Sequence, residues 1–70
     1  MNKLDFTLKE EYIELNKLLK ILCLVESGGQ ANQLIIQGKV LYNGEIDLRK
    51  RLKLKKGDEI LFLETLIKII

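Results

Sequence analysis

The spacing of the apolar residues changes along the 70-residue chain, from intervals of three and four residues to intervals of two. In the first half, the apolar stripe consists of Leu15, Leu18, Leu19 and Leu22. This stripe predicts an amphipathic first helix over about residues 13–23. The segment FTL, residues 6–8, precedes it and predicts a short first strand.

A second helix is predicted over about residues 28–37. Ser27 is a favourable N-cap, and Gln30 three residues later completes a capping box. The stripe of this helix consists of Ala31, Leu34 and Ile35. Gly38 is a natural left-handed terminator for it. Only a few residues separate the two helices, so we expect them to form a packed pair.

After Gly38 the period becomes two, which is typical of strands. The segment KVLYNGEID predicts a hairpin, because Asn43-Gly44 suits a type I′ turn with φ > 0 at both positions. A second turn is predicted at Lys56-Gly57-Asp58, between KLKL and a strand EILFLE. The segment TLIKII predicts the last strand. The class is therefore α+β, with two packed helices followed by a small antiparallel sheet.

Composition predicts a single domain over residues 1–70, because 47% of the residues are apolar and can form a core. The lone Cys23 lies in the apolar run LLKILCLV and is predicted to be a small buried residue. One cysteine suits a reducing, cytoplasmic setting. The longest run around it, ILCLV, is far shorter than the roughly 20 residues that span a bilayer, and no targeting segment is recognised, so no membrane association is expected. The chain is expected to be a monomer.

Enzyme activity is not predicted. The chain has no histidine and no nucleophile–base pair, phosphate-binding Walker loop or zinc-ligand spacing. We therefore expect no catalytic residue, no metal, no cofactor and no small-molecule substrate.

Charge is distributed unevenly, although the formal net charge is only +2. Residues 48–57 contain no acid and six basic residues: Arg49, Lys50, Arg51, Lys53, Lys55 and Lys56. Such a run is often only a solvated surface, but it also suits a polyanion. If the segment is extended, Arg49 and Arg51 lie on one face and Lys50 on the other.

The start of the second helix adds a second candidate contact for an anion. Gly28 and Gly29 leave the backbone N–H groups of the first turn accessible, at the positive end of the helix dipole. The alternative is that these glycines only allow a tight turn between the helices. Outside the apolar stripe lie Asn32, Gln33 and Gln37, whose amides suit bases, ribose hydroxyls and phosphates. Plain solvent exposure is the alternative explanation for these amides. Lys39 follows just beyond the helix, so phosphates would meet the helix start, its polar face and a cation along one continuous edge.

The stretch ELNKLLKILCLVESGGQANQLIIQGKVLYNGE resembles the S4-type RNA-binding domain, whose fold is called αL. The shared pattern is a leucine-rich first helix, Ser-x-x-Gln-Ala, Leu-Ile-x-x-Gly-x-Val and Asn-Gly. It is matched in order by Leu15, Leu18, Leu19, Ser27, Gln30, Ala31, Leu34, Ile35, Gly38, Val40, Asn43 and Gly44. The segments ESGG, RKR and GD resemble the small stand-alone bacterial members, the YbcJ/YaaA-like proteins. The resemblance covers about residues 6–64.

This resemblance implies a protein that binds structured RNA, with ribosomal RNA, its precursor or a ribosomal subunit as partner. Many S4 domains carry arginines where Gly28, Gly29 and Asn32 stand here, and Glu14 occupies a place that is often arginine. We therefore expect the basic segment to carry more of the binding. The predicted RNA-binding residues are Ser27, Gly28, Gly29, Gln30, Asn32, Gln33, Gln37, Lys39, Asn43, Arg49, Lys50, Arg51 and Lys53, with Tyr42 as a minor candidate. The alternative function is a protein-interaction module that docks an acidic partner through its basic segment.

Overall fold

A computed structural model describes all residues from 1 to 70. Seven strands and two helices follow one another as β1 (Asn2–Phe6), β2 (Ile13–Glu14), α1 (Leu15–Ile21), α2 (Gly28–Ile36), β3 (Val40–Tyr42), β4 (Glu45–Ile46), β5 (Lys53–Leu54), β6 (Glu59–Phe62) and β7 (Thr65–Ile69). The predicted α+β class and the two packed helices are confirmed. No helix combines the length and the apolar character that crossing a bilayer requires.

The larger sheet has five strands in the order β1-β7-β6-β3-β4. Its neighbours are antiparallel except β1 and β7, which pair in parallel. The sheet was predicted to be antiparallel, whereas it is mixed. The long connection that contains both helices lets the first strand run parallel to the last one. The first strand is Asn2–Phe6 rather than the predicted 6–8. A separate two-stranded pair, β2 with β5, was not predicted.

Both turns that the sequence predicts are present, but only the first closes a hairpin, because β5 pairs with β2 and not with β6. Asn43 has φ 49° and Gly44 has φ 92°, as a type I′ turn requires. Gly57 has φ 96° in the turn before β6. The predicted strand EILFLE ends early, at Phe62, because the chain turns at Leu63, where φ is 55°.

Helix α1 ends at Ile21, two residues before its predicted end. The Cys23 N–H donates to the Lys20 carbonyl and the Leu24 N–H to the Leu19 carbonyl, both at 3.0 Å, which is a Schellman motif. Cys23 has φ 58° and an exposed side chain. The prediction of a buried Cys23 was therefore wrong, because the helix ends before this residue and the chain reverses there.

The core is one cluster that joins the helices to the larger sheet. Its fully buried large side chains are Leu15, Leu18, Leu19, Ile35, Val40, Leu54, Ile60, Ile67 and Ile69. The helical stripes predicted from the sequence thus supply the inward faces of α1 and α2. The polar faces of the helices remain exposed, and so does most of the segment between β4 and β5. Both are therefore available to a partner.

Candidate nucleic-acid interface

The start of α2 is capped as the sequence predicts. Ser27 has extended backbone (φ −153°), and its Oγ accepts a hydrogen bond from the Gln30 N–H at 3.1 Å. In return, Gln30 Oε1 accepts from the N–H of Glu26, one residue before the cap, at 2.6 Å. The cap therefore uses the side chains of Ser27 and Gln30 to hold the first turn in place.

Gly28 and Gly29 occupy the first two positions of α2, where backbone N–H groups have no partner within the helix. Neither glycine has a positive φ. A Cβ at Gly28 would meet no atom within 4 Å, and one at Gly29 would meet only Ser27 Oγ at 3.8 Å. Neither backbone conformation nor packing therefore requires glycine here, and the tight-turn alternative finds no support in the structure. The N–H groups of Gly28 and Gly29 make no hydrogen bond in the structure, and no side chain at either position shields them.

Asn16 connects the polar face of α2 to α1. Its Nδ2 donates to Asn32 Oδ1 at 3.2 Å, and both residues are half-buried. The Oδ1 atom of Asn16 is buried without a hydrogen-bond partner. Gln33 and Gln37 are exposed on the same helix as Asn32. Sequence reasoning missed Asn16, although its amide lies off the leucine stripe, one residue after Leu15.

The basic segment is fastened to the start of α1 by its backbone. Helix α1 has no side-chain cap, because Glu14 makes no such bond. Instead, the Leu15 N–H donates to the Leu52 carbonyl at 2.9 Å, and the Asn16 N–H donates to the Lys50 carbonyl at 3.1 Å. These bonds satisfy N–H groups that a helix leaves unpaired at its start. They also hold the basic segment beside α1, adjacent to the Asn16–Asn32 contact.

The triplet Arg49-Lys50-Arg51 is not extended, so the predicted alternation of its faces was wrong. The Leu52 N–H approaches the Arg49 carbonyl at 3.4 Å, which closes a turn over the triplet. The Asp47 carboxylate stabilises the start of this turn, because its Oδ1 accepts a hydrogen bond from the Arg49 N–H at 2.9 Å. Short-range side-chain bonding of this kind competes with extended structure.

The three cations of the triplet differ in how closely they are paired with carboxylates. Arg49 donates through Nε and Nη2 to the Asp47 carboxylate, the shortest contact being 2.7 Å. These hydrogen bonds from Arg49 lower the pKa of Asp47 below its ordinary value. Arg51 Nε lies 3.9 Å from Glu14 Oε2, a distant contact for a side chain that is 81% exposed. Lys50 has no carboxylate partner and is exposed.

An open groove of about 660 Å³ lies over the basic segment. Its lining residues are Tyr42, Arg49, Arg51, Leu52, Lys53, Lys55 and Asp58. Lys53 Nζ sits 4.9 Å from the centroid of the Tyr12 ring, which fixes the direction of this side chain. Lys55 belongs to the basic run but was not among the predicted binding residues. The groove is therefore polar and largely cationic, and it is continuous with the triplet.

Asp58 organises one end of this groove. Its carboxylate accepts from the Tyr42 hydroxyl at 3.3 Å, from Asn43 Nδ2 at 3.4 Å and from the Lys55 N–H at 2.8 Å. Asn43 Oδ1 in turn accepts from the Glu59 N–H at 2.8 Å. Burial, followed by the nearby Asp58 charge, raises the pKa of Tyr42. Asn43 thus serves first to hold the hairpin tip. The sequence pointed to Asp58 only as part of a turn and of the GD segment, and not as a residue of this site.

A family model described as "S4 domain" matches residues 6–70. This chain belongs to the S4 domain family. No group of three or more His, Cys, Asp or Glu residues in it is arranged to hold a metal ion.

Two relatives of this S4 domain are proteins called YbcJ. "Putative RNA-binding protein YbcJ" of Escherichia coli (strain K12) is 39% identical over 54 residues, which are 77% of each chain. A YbcJ protein of Shigella flexneri matches with the same figures. The solution structure of the E. coli protein has a TM-score of 0.72 and 34% identity, and covers 94% of this chain and 85% of that one. That structure is described as revealing an αL motif involved in RNA binding.

The fold of this S4 domain brings the α2 face and the basic segment together at Asn16, which contacts Asn32 and Lys50. Lys39 lies at the end of β3 opposite the hairpin tip; its carbonyl approaches the Leu63 N–H at 3.4 Å, and its side chain is exposed. Lys39 does not line the groove. The continuous edge from the helix start to Lys39 stays a prediction, and the contacts of Asn16 add a surface that runs from α2 to the basic segment.

Proposed function

We propose that this S4 domain binds structured RNA, and that ribosomal RNA or its precursor is the target. Family membership supports RNA as the polymer, as does the description of the E. coli YbcJ structure, which shares this fold. The proposed contact residues are those predicted from the sequence, extended by Asn16 and Lys55. Residues 1–70 act in this proposal as a single binding module in the cytoplasm, without catalysis or cofactor.

The location of the proposed site rests on the hydrogen bonds that join the basic segment to α1 and α1 to α2. The carbonyls of Lys50 and Leu52 accept the first N–H groups of α1, and the next contact, from Asn16 to Asn32, leads to α2. Two features that are distant in sequence, an amide-bearing helix face and a cationic segment, thereby become neighbours. One copy of the chain carries both, so we expect a monomer to be sufficient for binding.

The proposed mechanism relies on phosphate contacts and shape. Lys50 and Lys53 can approach phosphates directly, whereas Arg49 has to share its guanidinium between Asp47 and the RNA. The accessible N–H groups at Gly28 and Gly29 offer a second point of contact. Double-stranded RNA has a deep, narrow major groove whose base edges side chains read poorly, so recognition through backbone and shape suits this surface.

The test is RNA binding by the double variant Arg49→Ala/Arg51→Ala at several salt concentrations. Each lost phosphate contact should lower the log–log salt slope by about 0.7–0.9 and weaken binding uniformly across sequences. The matched control is Lys3→Ala/Lys68→Ala, which removes the same charge from exposed positions on β1 and on its neighbour β7, at the side of the sheet away from β4.

The control should change affinity much less than the arginine variant. Equal losses in the two variants would mean that only net charge matters, and unchanged binding in the arginine variant would place the RNA elsewhere. Crosslinking in cells followed by sequencing of the attached RNA tests the ribosomal target. Recovery of an acidic protein without RNA would favour the protein-interaction alternative.

A further inference from the structure

Strand β1 forms one outer edge of the larger sheet, with a free backbone side. Its parallel pairing with β7 uses the backbone of alternate residues: the Asn2 N–H donates at 2.8 Å, and the Phe6 carbonyl accepts at 2.8 Å. By alternation, the N–H and C=O groups of Lys3 and Asp5 point away from the sheet. A free edge of this kind is a template for another strand.

Only some registers allow a second copy of β1 to pair with this edge in antiparallel fashion. Outward-pointing residues must lie opposite one another, so the possible registers differ by steps of two residues. In the register centred on Leu4, Lys3 lies opposite the partner's Asp5, and Asp5 lies opposite the partner's Lys3. The two neighbouring registers place Asp5 opposite the partner's Asp5, or Lys3 opposite the partner's Lys3.

Charge therefore selects one register. Opposite charges that face each other across an antiparallel pair are stabilising, and like charges in that position are destabilising. Lys3 and Asp5 are exposed, and neither has an ion-pair partner within the chain. In the selected register, each Lys–Asp pair is also a hydrogen-bonded pair, which exchanges two backbone bonds.

The other face of the strand fits the same register. Leu4 is 37% exposed and would lie on the two-fold axis, where it meets the partner's Leu4. Leucine side chains in a non-hydrogen-bonded pair approach closely, so this contact covers apolar surface that one copy leaves in water. A strand of five residues makes a small interface, so the association is weak and depends on concentration.

We propose that the β1 edge is a self-complementary surface for a second copy of this chain, which joins two five-stranded sheets through an antiparallel β1–β1 pair centred on Leu4. Strand β4, which precedes the basic segment, lies at the opposite edge of the sheet. Dimerisation therefore leaves the proposed RNA surface of each copy free, and it does not depend on the proposed function.

Charge-reversal variants test the proposal by analytical ultracentrifugation from roughly micromolar to millimolar protein. Asp5→Lys places lysine opposite lysine, and Lys3→Asp places aspartate opposite aspartate, so each variant alone should raise the dimer dissociation constant about tenfold or more. An equimolar mixture of the two variants should associate again, because every pair across the axis is then Lys–Asp. The double variant Lys3→Asp/Asp5→Lys should also regain native association.

Amide hydrogen exchange gives an independent measurement on the native protein. Rising concentration should slow exchange at the amides of Lys3 and Asp5 and leave Leu4, whose N–H already faces β7, unchanged. A native protein that stays monomeric up to millimolar concentration overturns the proposal and assigns Lys3 and Asp5 to keeping the edge solvated. Association that both single reversals leave intact overturns it too, since another surface would then be responsible.

Discussion

Asp47→Asn should tighten RNA binding, which is the opposite of the usual result of changing a residue near a binding site. In the native protein, the Asp47 carboxylate holds the Arg49 guanidinium through Nε and Nη2. In the native protein, Asp47 Oδ1 accepts from the Arg49 N–H at 2.9 Å. Asparagine keeps an oxygen that can accept this hydrogen bond, and so preserves the turn. It removes the negative charge that competes with phosphate.

The expected size follows from the number of contacts that are freed. Arg49 is one cation, so its release should steepen the log–log salt slope by at most about 0.7–0.9. Between 50 and 200 mM salt, this added slope makes the affinity of the variant for RNA fall by a further factor of about three compared with the native protein. The Arg49 side chain is 67% exposed, so its ion pair adds little to stability, and the melting midpoint should move by less than about 4 °C.

The assay is a binding titration with a structured ribosomal RNA fragment at several salt concentrations, alongside a thermal melt. Asp5→Asn is the matched control, because it removes the same charge at the far edge of the sheet. In an Arg49→Ala background, the effect of Asp47→Asn should disappear, since no guanidinium remains to be released. The reasoning is refuted if Asp47→Asn leaves affinity and slope unchanged, or if it tightens binding equally without Arg49.

Four further substitutions have defined outcomes. Gly44→Val should lower the free energy of unfolding by ~1–3 kcal/mol, because Gly44 has φ 92° and its missing Cβ faces open space, so the cost is backbone strain alone; an unchanged thermal midpoint would contradict this. Ser27→Asp should keep the cap and weaken RNA binding by repelling a nearby phosphate; equally tight binding in a titration would place the RNA away from this helix start. Asp58→Asn should lower the raised pKa of Tyr42 toward its ordinary value, which a titration followed by ultraviolet absorbance measures. Because the pKa of Tyr42 is raised in the folded state, the native contact stabilises the folded protein below pH ~10, and this stabilisation is lost as pH rises through the folded pKa. Cys23→Gly should raise stability by ~0.5–1 kcal/mol, since φ is 58° at Cys23, and urea unfolding with no gain would argue against strain there.

Local sequence determined the two helices, the start and stop signals of α2, and the glycine-containing turns. The Ser27 cap and the Asn43-Gly44 turn depend on residues within four positions of each other, so their physical chemistry is readable without tertiary contacts. The leucine stripe of α1 likewise identified the buried face, because a helix has one period and one apolar side. The same reasoning failed at Cys23, where an apolar run continued past a helix that had already ended.

Tertiary structure alone decided how the candidate site is assembled. The basic run was visible in the sequence, and its turn and its Asp47 ion pair are contacts between residues two or three positions apart. Its attachment to α1 and the approach of Arg51 to Glu14 arise between separate elements. The same holds for Asn16 and Asn32, which are 16 residues apart and meet only because the helices pack together. The position of β1 beside β7 is the longest-range case, since pairing between the two ends of the chain leaves no local pattern for a sequence to display.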